Sequence, residues 1–146
     1  IATSGNVFKL TLLDKVMDPK GDVIQEYEPE IEDVVNISSN IWDVLHDGMR
    51  RVIQTHSQFD GLGVEVAGKT GTAELDLHHP NHGLFVGYAP ASDPEYAVAI
   101  RIANGYSSGN ACLIANDTFK YMYNLADKDS ILTGIASTDT SDTSND

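Results

Sequence analysis

Apolar and polar positions change period along the chain. Phe8–Val16 is apolar and rich in β-formers, and Asp18-Pro19-Lys20-Gly21-Asp22 carries a turn signal. Val23–Tyr27 is therefore expected to return as a second strand. Glu28-Pro29-Glu30 then bends the chain. Ile41, Trp42, Leu45, Met49, Val52 and Ile53 recur at helical spacing and predict a helix over about 39–55, with Ser38, Ser39 and Asn40 as candidate N-caps. This stripe places Trp42 in the core. Beyond the Asp60–Gly63 loop, Val64–Glu74, Leu84–Ala89 and Tyr96–Ala103 read as three strands. The turns between them are short, around Pro80-Asn81 and Pro90–Pro94, so neighbouring strands run antiparallel. A last helix is predicted over about 110–125, with Ala111, Ile114, Ala115, Thr118, Met122 and Leu125 on its buried face. Cys112, near the same face, is expected to be a small buried thiol. The fold class is α+β: an antiparallel sheet with flanking helices.

Composition narrows the functions. The chain has 146 residues, 9 Lys+Arg against 22 Asp+Glu and a net charge of −13. Such an acidic surface argues against nucleic acid, whose phosphates need a basic partner. It argues equally against electrostatic docking on anionic lipid. No apolar run reaches the ~20 residues of a membrane-spanning helix. A single cysteine excludes an internal disulfide and a cysteine zinc cage. Acids gather in residues 21–36 and again in 127–146. The second stretch, Ser/Thr/Asp-rich and without apolar residues from Ser137 on, is expected to be a disordered, solvated tail. An acidic interaction tail is the sharper alternative.

Two motifs compete for one segment. Gly63–Thr70 matches G-x-x-x-x-G-K-[ST] letter for letter, the phosphate-binding loop of nucleotide hydrolases. That chemistry needs a helix starting at the Lys-Thr pair, and no amphipathic pattern follows Thr70. The other reading is Lys69-Thr70-Gly71-Thr72 on a strand. A cation there can orient a substrate carboxylate, and a hydroxyl beside it can add a hydrogen bond. A glycine lets a ligand backbone lie close, and a backbone N–H further along can serve an oxyanion. Strand context favours this reading.

Val66–Glu74 resembles the segment around the K-T-G motif of class B penicillin-binding proteins. Other segments resemble the same family in the same order: Ile1–Asn6, Phe8–Val16, Asp47–Arg50, Asn81–Pro90 and Tyr96–Ser108. The likeness is greatest to the monofunctional, elongation-type enzymes of Gram-positive bacteria. It implies that residues 1–126 are the C-terminal part of a transpeptidase domain. The parent protein would be a serine-type peptidoglycan D,D-transpeptidase acting on D-Ala-D-Ala stem peptides and acylated by β-lactams. Lys69 would position the substrate carboxylate and contact the second-motif serine. Thr70 and Thr72 would hydrogen-bond the carboxylate, Gly71 would allow close approach, and the Thr72 N–H would be an oxyanion donor. No cofactor or metal is implied. The expected partners are the stem peptide, β-lactams, the remainder of the domain and cell-wall synthesis proteins. The expected place is the extracytoplasmic face of the cell membrane, with the anchor outside this chain. A non-catalytic β-lactam sensor or interaction module of the same fold, and a nucleotide hydrolase, are the rivals.

The family's nucleophile lies in S-x-x-K, and no serine here has Lys three positions later. Its S-x-N motif is matched by Ser4, Ser38 and Ser108, too many hits to assign one. His78, His79 and His82 with Asp76 could be read as a metal cluster, but a polar hairpin tip is the favoured reading. Tyr106 and Arg101 carry no assignment. The chain by itself is therefore predicted to form no covalent adduct with penicillin. Intact-mass measurement after incubation checks this; an acyl adduct on one defined serine would show that a nucleophile is present.

Overall fold

The computed structural model describes residues 1–132. The chain divides into two compact units, one of Ile1 and Thr3–Trp42, the other of Ala2 and the residues from Asp43 on. The first holds four short strands in two antiparallel pairs. Strand β1 (Asn6–Phe8) pairs with β4 (Ile31–Val34), and β2 (Lys15–Met17) pairs with β3 (Val23–Glu26). The expected hairpin is present, with Lys15 opposite Glu26 and Met17 opposite Val23. Its turn is held by Asp18, whose Oδ1 accepts the N–H groups of Lys20 at 2.8 Å and Asp22 at 2.9 Å. The single strand expected over Phe8–Val16 is instead two strands separated by residues 9–14. Leu10 and Leu12 in that gap are fully exposed. Strand β4 lies just past the expected Glu28–Glu30 bend, where no element was predicted; Glu and Asp are poor β-formers, and pairing with β1 overrides their propensity.

In the second unit a three-stranded antiparallel sheet has the order β5 (Ala67–Ala73), β6 (His82–Ala89), β7 (Tyr96–Ile102). Helix α1 (Ser39–Gln54) matches its predicted span closely. Of its apolar stripe Met49 and Ile53 are buried, while Ile41 and Leu45 are exposed. Trp42, placed in the core from the stripe, is only half-buried. Helix α2 (Ser108–Met122) starts two residues before the predicted point, because the Ser107 side chain accepts the Gly109 N–H and caps it.

Residue alternation divides the sheet into two faces. Gly68, Thr70, Gly83, Phe85, Gly87, Ile100 and Ile102 share the face covered by α2. Phe85 is its centre. The ring is wholly buried among Phe59, Val66, Ala111, Cys112, Ala115 and Phe119. Its far end lies over two glycines that pair with each other across the sheet: a Cβ on Gly68 would come within 2.7 Å of the ring and one on Gly87 within 2.6 Å.

This packing corrects the expected helix face. Ala111 and Ala115 are buried as predicted, but Ile114, Met122 and Leu125 are exposed. The buried stripe is Ser108, Ala111, Cys112, Ala115, Asn116 and Phe119. Ala111, Cys112 and Ala115 let the helix approach a sheet already filled by Phe85, and Phe119 is the one large side chain of the buried stripe. Cys112 is buried, as expected. Strand β5 begins at Ala67 rather than Val64; Val66 leaves the strand and packs into the core. Beyond α2, Asp127 caps a short helix, α3 (Lys128–Ile131), where the tail was expected to open; residues 133–146 of that tail lie outside the described residues.

The Gly87→Ala protein should be about 1–3 kcal/mol less stable, the usual cost of forcing an extra methyl into a filled core. Its Cβ would also stand 2.8 Å from the Ala67 carbonyl, so the ring cannot relieve the clash by tilting. Urea denaturation checks this, and an unchanged midpoint would refute it.

Candidate functional site

Lys69, Thr70, Gly71 and Thr72 lie in the middle of β5. They form no loop and start no helix, so the geometry that a phosphate-binding loop requires is absent. The glycine that completes that motif by letter, Gly68, is explained by the Phe85 ring above it. Strand β5 is an edge: β6 flanks it on one side, and no described strand pairs with the other. Its outer backbone groups are available to an extended ligand.

Alternation separates the four residues. Lys69 and Gly71 share the face opposite α2 with Leu84, Val86, Ala99 and Arg101, across an open depression of about 420 Å³. Thr70 and Thr72 share the α2 face. Lys69 is exposed, and its Nζ donates to the Thr70 carbonyl at 2.5 Å. No carboxylate among the described residues pairs with this ammonium, although the chain is strongly acidic. Thr70 is 7% exposed, whereas Thr72 is half-buried. The Thr72 Oγ1 accepts the Ser108 N–H at 3.2 Å, from the first turn of α2. Sequence patterns left Ser108 unassigned among three S-x-N matches; the fold places it beside Thr72.

The histidine cluster separates. His78 and His79 lie in the β5–β6 connection, where the Asp76 Oδ1 accepts the His78 N–H at 2.7 Å and the His79 N–H at 3.0 Å. The His79 ring lies 2.9 Å from the same carboxylate. His82 is instead buried at the start of β6. Among the described residues no group of His, Cys, Asp and Glu is arranged to hold a metal ion. Arg101, which the sequence left unassigned, lies with a guanidinium nitrogen 3.2 Å from His82 Nε2. Tyr106 is in the β7–α2 turn with a left-handed backbone, φ 65°. Sequence reasoning weighed His82 only as part of a polar hairpin tip or metal cluster, and gave Asn104 and Ser107 no role. Their only local signal is the His82-Gly83 and Asn104-Gly105 pairs at strand ends, which gain meaning once the ends meet in space.

A family model, the penicillin-binding protein transpeptidase domain, matches residues 1–123. The chain belongs to that family. It is 36% identical over 104 residues to the peptidoglycan D,D-transpeptidase MrdA of Acinetobacter baumannii, covering 62% of this chain and 15% of that protein. It is 34% identical over 117 residues to penicillin-binding protein 2B of Streptococcus pneumoniae, covering 69% and 17%. The D,D-transpeptidase domain of an Eggerthella lenta peptidoglycan glycosyltransferase superposes with a TM-score of 0.66 at 30% identity, covering 86% of this chain and 30% of that one. Penicillin-binding protein A of Mycobacterium tuberculosis, solved as an imipenem acyl-enzyme, gives a TM-score of 0.70 at 25% identity, covering 86% and 28%. The chain thus spans less than a fifth of the two enzymes' lengths. The likeness is to class B transpeptidases, and the antiparallel sheet with flanking helices is their α+β fold. No described helix is long and apolar enough to cross a membrane.

The Asp76 turn yields a pH expectation. The His78 N–H, then the His79 ring, hold the Asp76 carboxyl below its ordinary range, because both favour the ionised form. The turn is intact above the ordinary carboxylate pKa and loosens as pH falls through the lowered one. Carboxyl NMR titration should show that low value, with the His78 and His79 amides shifting at the same pH. An ordinary Asp value would contradict the geometry.

Proposed function

We propose that this chain supplies the ligand-binding edge of a serine-type peptidoglycan D,D-transpeptidase. One observation carries the reading: in a chain of the transpeptidase family, Lys69 presents an exposed ammonium, unpaired with any described carboxylate, on an open strand edge. In an acidic protein, a cation that stands clear of the described carboxylates is suited to an anionic ligand. In the parent protein the D-Ala-D-Ala stem peptide lies along β5. Lys69 orients its terminal carboxylate, and the Thr72 hydroxyl adds a hydrogen bond. Thr70 anchors the strand against α2, and Gly71 leaves room for the peptide backbone.

The reactive serine belongs to the part of the domain that this chain does not contain. Its oxygen attacks the penultimate D-Ala carbonyl, the Thr72 N–H serves the developing oxyanion, and the terminal D-Ala leaves as its amine takes up a proton. An amine of a neighbouring strand then attacks the acyl-enzyme and releases the serine. A β-lactam enters the same site, opens its ring on the same serine and keeps its carboxylate against Lys69. The remainder of the domain is thus the first partner, and the site works on the extracytoplasmic face, where peptidoglycan is built.

In the parent protein, Lys69→Ala should lower the second-order rate of acylation by a fluorescent penicillin about 10- to 100-fold, the loss of one charge-assisted hydrogen bond. Thr72→Val should lower it less. Unchanged acylation in the Lys69→Ala protein, or a parent protein that no penicillin acylates, would overturn the reading.

A further inference from the structure

Thr72 is held from outside its own strand, and the turn that holds it is pinned at several points. The turn runs from the end of β7 to the start of α2. Asn104 and Tyr106 both have left-handed backbones, φ 54° and 65°, which side chains other than glycine adopt at a cost. Such a turn persists only where its surroundings fix it. The Asn104 N–H donates to His82 Nδ1 at 3.0 Å. The Tyr106 N–H donates to the Asn81 carbonyl at 2.9 Å, and the Gly105 carbonyl accepts from Asn110 Nδ2 at 2.9 Å. Next to His82, Gly83 has no side chain, and a Cβ there would meet the Ser107 carbonyl at 2.4 Å. Gly83 is also the register partner of Thr72. The turn therefore passes directly over the strand pair, and the Ser108 N–H reaches the Thr72 Oγ1.

Among these pins His82 is the one side chain that grips the left-handed entry to the turn. A backbone N–H can only donate, so Nδ1 is the acceptor in the contact with Asn104. Arg101 lies on the other side of the ring, with a guanidinium nitrogen 3.2 Å from Nε2. The ring is buried, 9% exposed, and cannot exchange its partner for water.

We propose that His82 is a positioning residue for ligand binding: by fixing Asn104 it sets the β7–α2 turn, and the turn sets the Thr72 hydroxyl through the Ser108 N–H. The proposal rests on the reading of Thr72 as a ligand contact and adds a residue outside the K-T-G strand that controls it. His82 touches no ligand in this scheme. Its effect belongs to carboxylate affinity and passes only through Thr72.

The test is a mutant cycle in the parent transpeptidase, with fluorescent penicillin as probe and acylation resolved into its binding and chemical steps. His82→Leu removes the acceptor and should weaken the binding step about tenfold, the effect of one lost hydrogen bond. His82→Asn puts its Oδ1 near the place of Nδ1 and should restore binding to within about twofold. In the Thr72→Val background His82→Leu should have no further effect. Independent, multiplying effects would overturn the proposal, as would full binding in the His82→Leu protein. Should His82→Leu fail to fold, His82→Asn against His82→Gln decides, since Gln carries its amide toward the Nε2 position: the proposal requires Asn to bind as the parent does and Gln to bind more weakly, and equal binding overturns it. A silent Thr72→Val would instead remove the reading of Thr72 as a ligand contact, and the proposal with it.

Discussion

The Phe85 ring, seated on Gly68 and Gly87 and roofed by Ala111, Ala115 and Phe119, sets the spacing of the second unit. A wholly buried aromatic side chain contributes about 1.5–3 kcal/mol through the water it excludes, and it does so only if every neighbour leaves it room. Gly68 and Gly87 on the sheet and the small Ala111 and Ala115 on the helix provide that room. The ring thereby fixes how close α2 lies to the sheet. It also fixes β5 against β6, since Gly68 and Gly87 are register partners. The residues after Gly68 inherit their places from this contact.

That inheritance gives the site its shape. Pairing of β5 to β6 leaves the outer edge of β5 open, and strand alternation points Lys69 away from the core that holds Thr70. Nearness of α2 brings the Ser108 N–H to Thr72. The two groups best suited to an anionic ligand, an ammonium and an oriented hydroxyl, thus come from opposite faces of one edge strand. An edge strand is the one place in a sheet where a ligand can reach both faces.

Much of the fold was legible because it rests on local periodicity. Helix α1 and the strands β6 and β7 follow from apolar spacing, and the β2–β3 hairpin follows from its turn chemistry. What failed had non-local causes. Ile114 and Met122 are better hydrophobes than Ala111 or Cys112, yet α2 turns Ala111, Cys112, Ala115 and Phe119 toward the core around Phe85. Acidic β4 becomes a strand because β1 needs a partner. Three histidines close in sequence separate because His82 starts a strand while His78 and His79 stay in the connection.

The sequence by itself determined the family and the strand that carries Lys69, Thr70, Gly71 and Thr72. Ordered segments from Ile1 to Ser108 resemble one family, and a strand pattern is read over neighbouring residues only. It also determined that no serine precedes a lysine by three positions. Only the tertiary structure decided which threonine is accessible, why Gly68 must be glycine and what holds Thr72. Those answers depend on Phe85, His82 and Ser108, which lie 10 to 36 positions from the K-T-G strand residues they govern. Contacts between such distant positions exist only once the sheet has formed and α2 has closed over it.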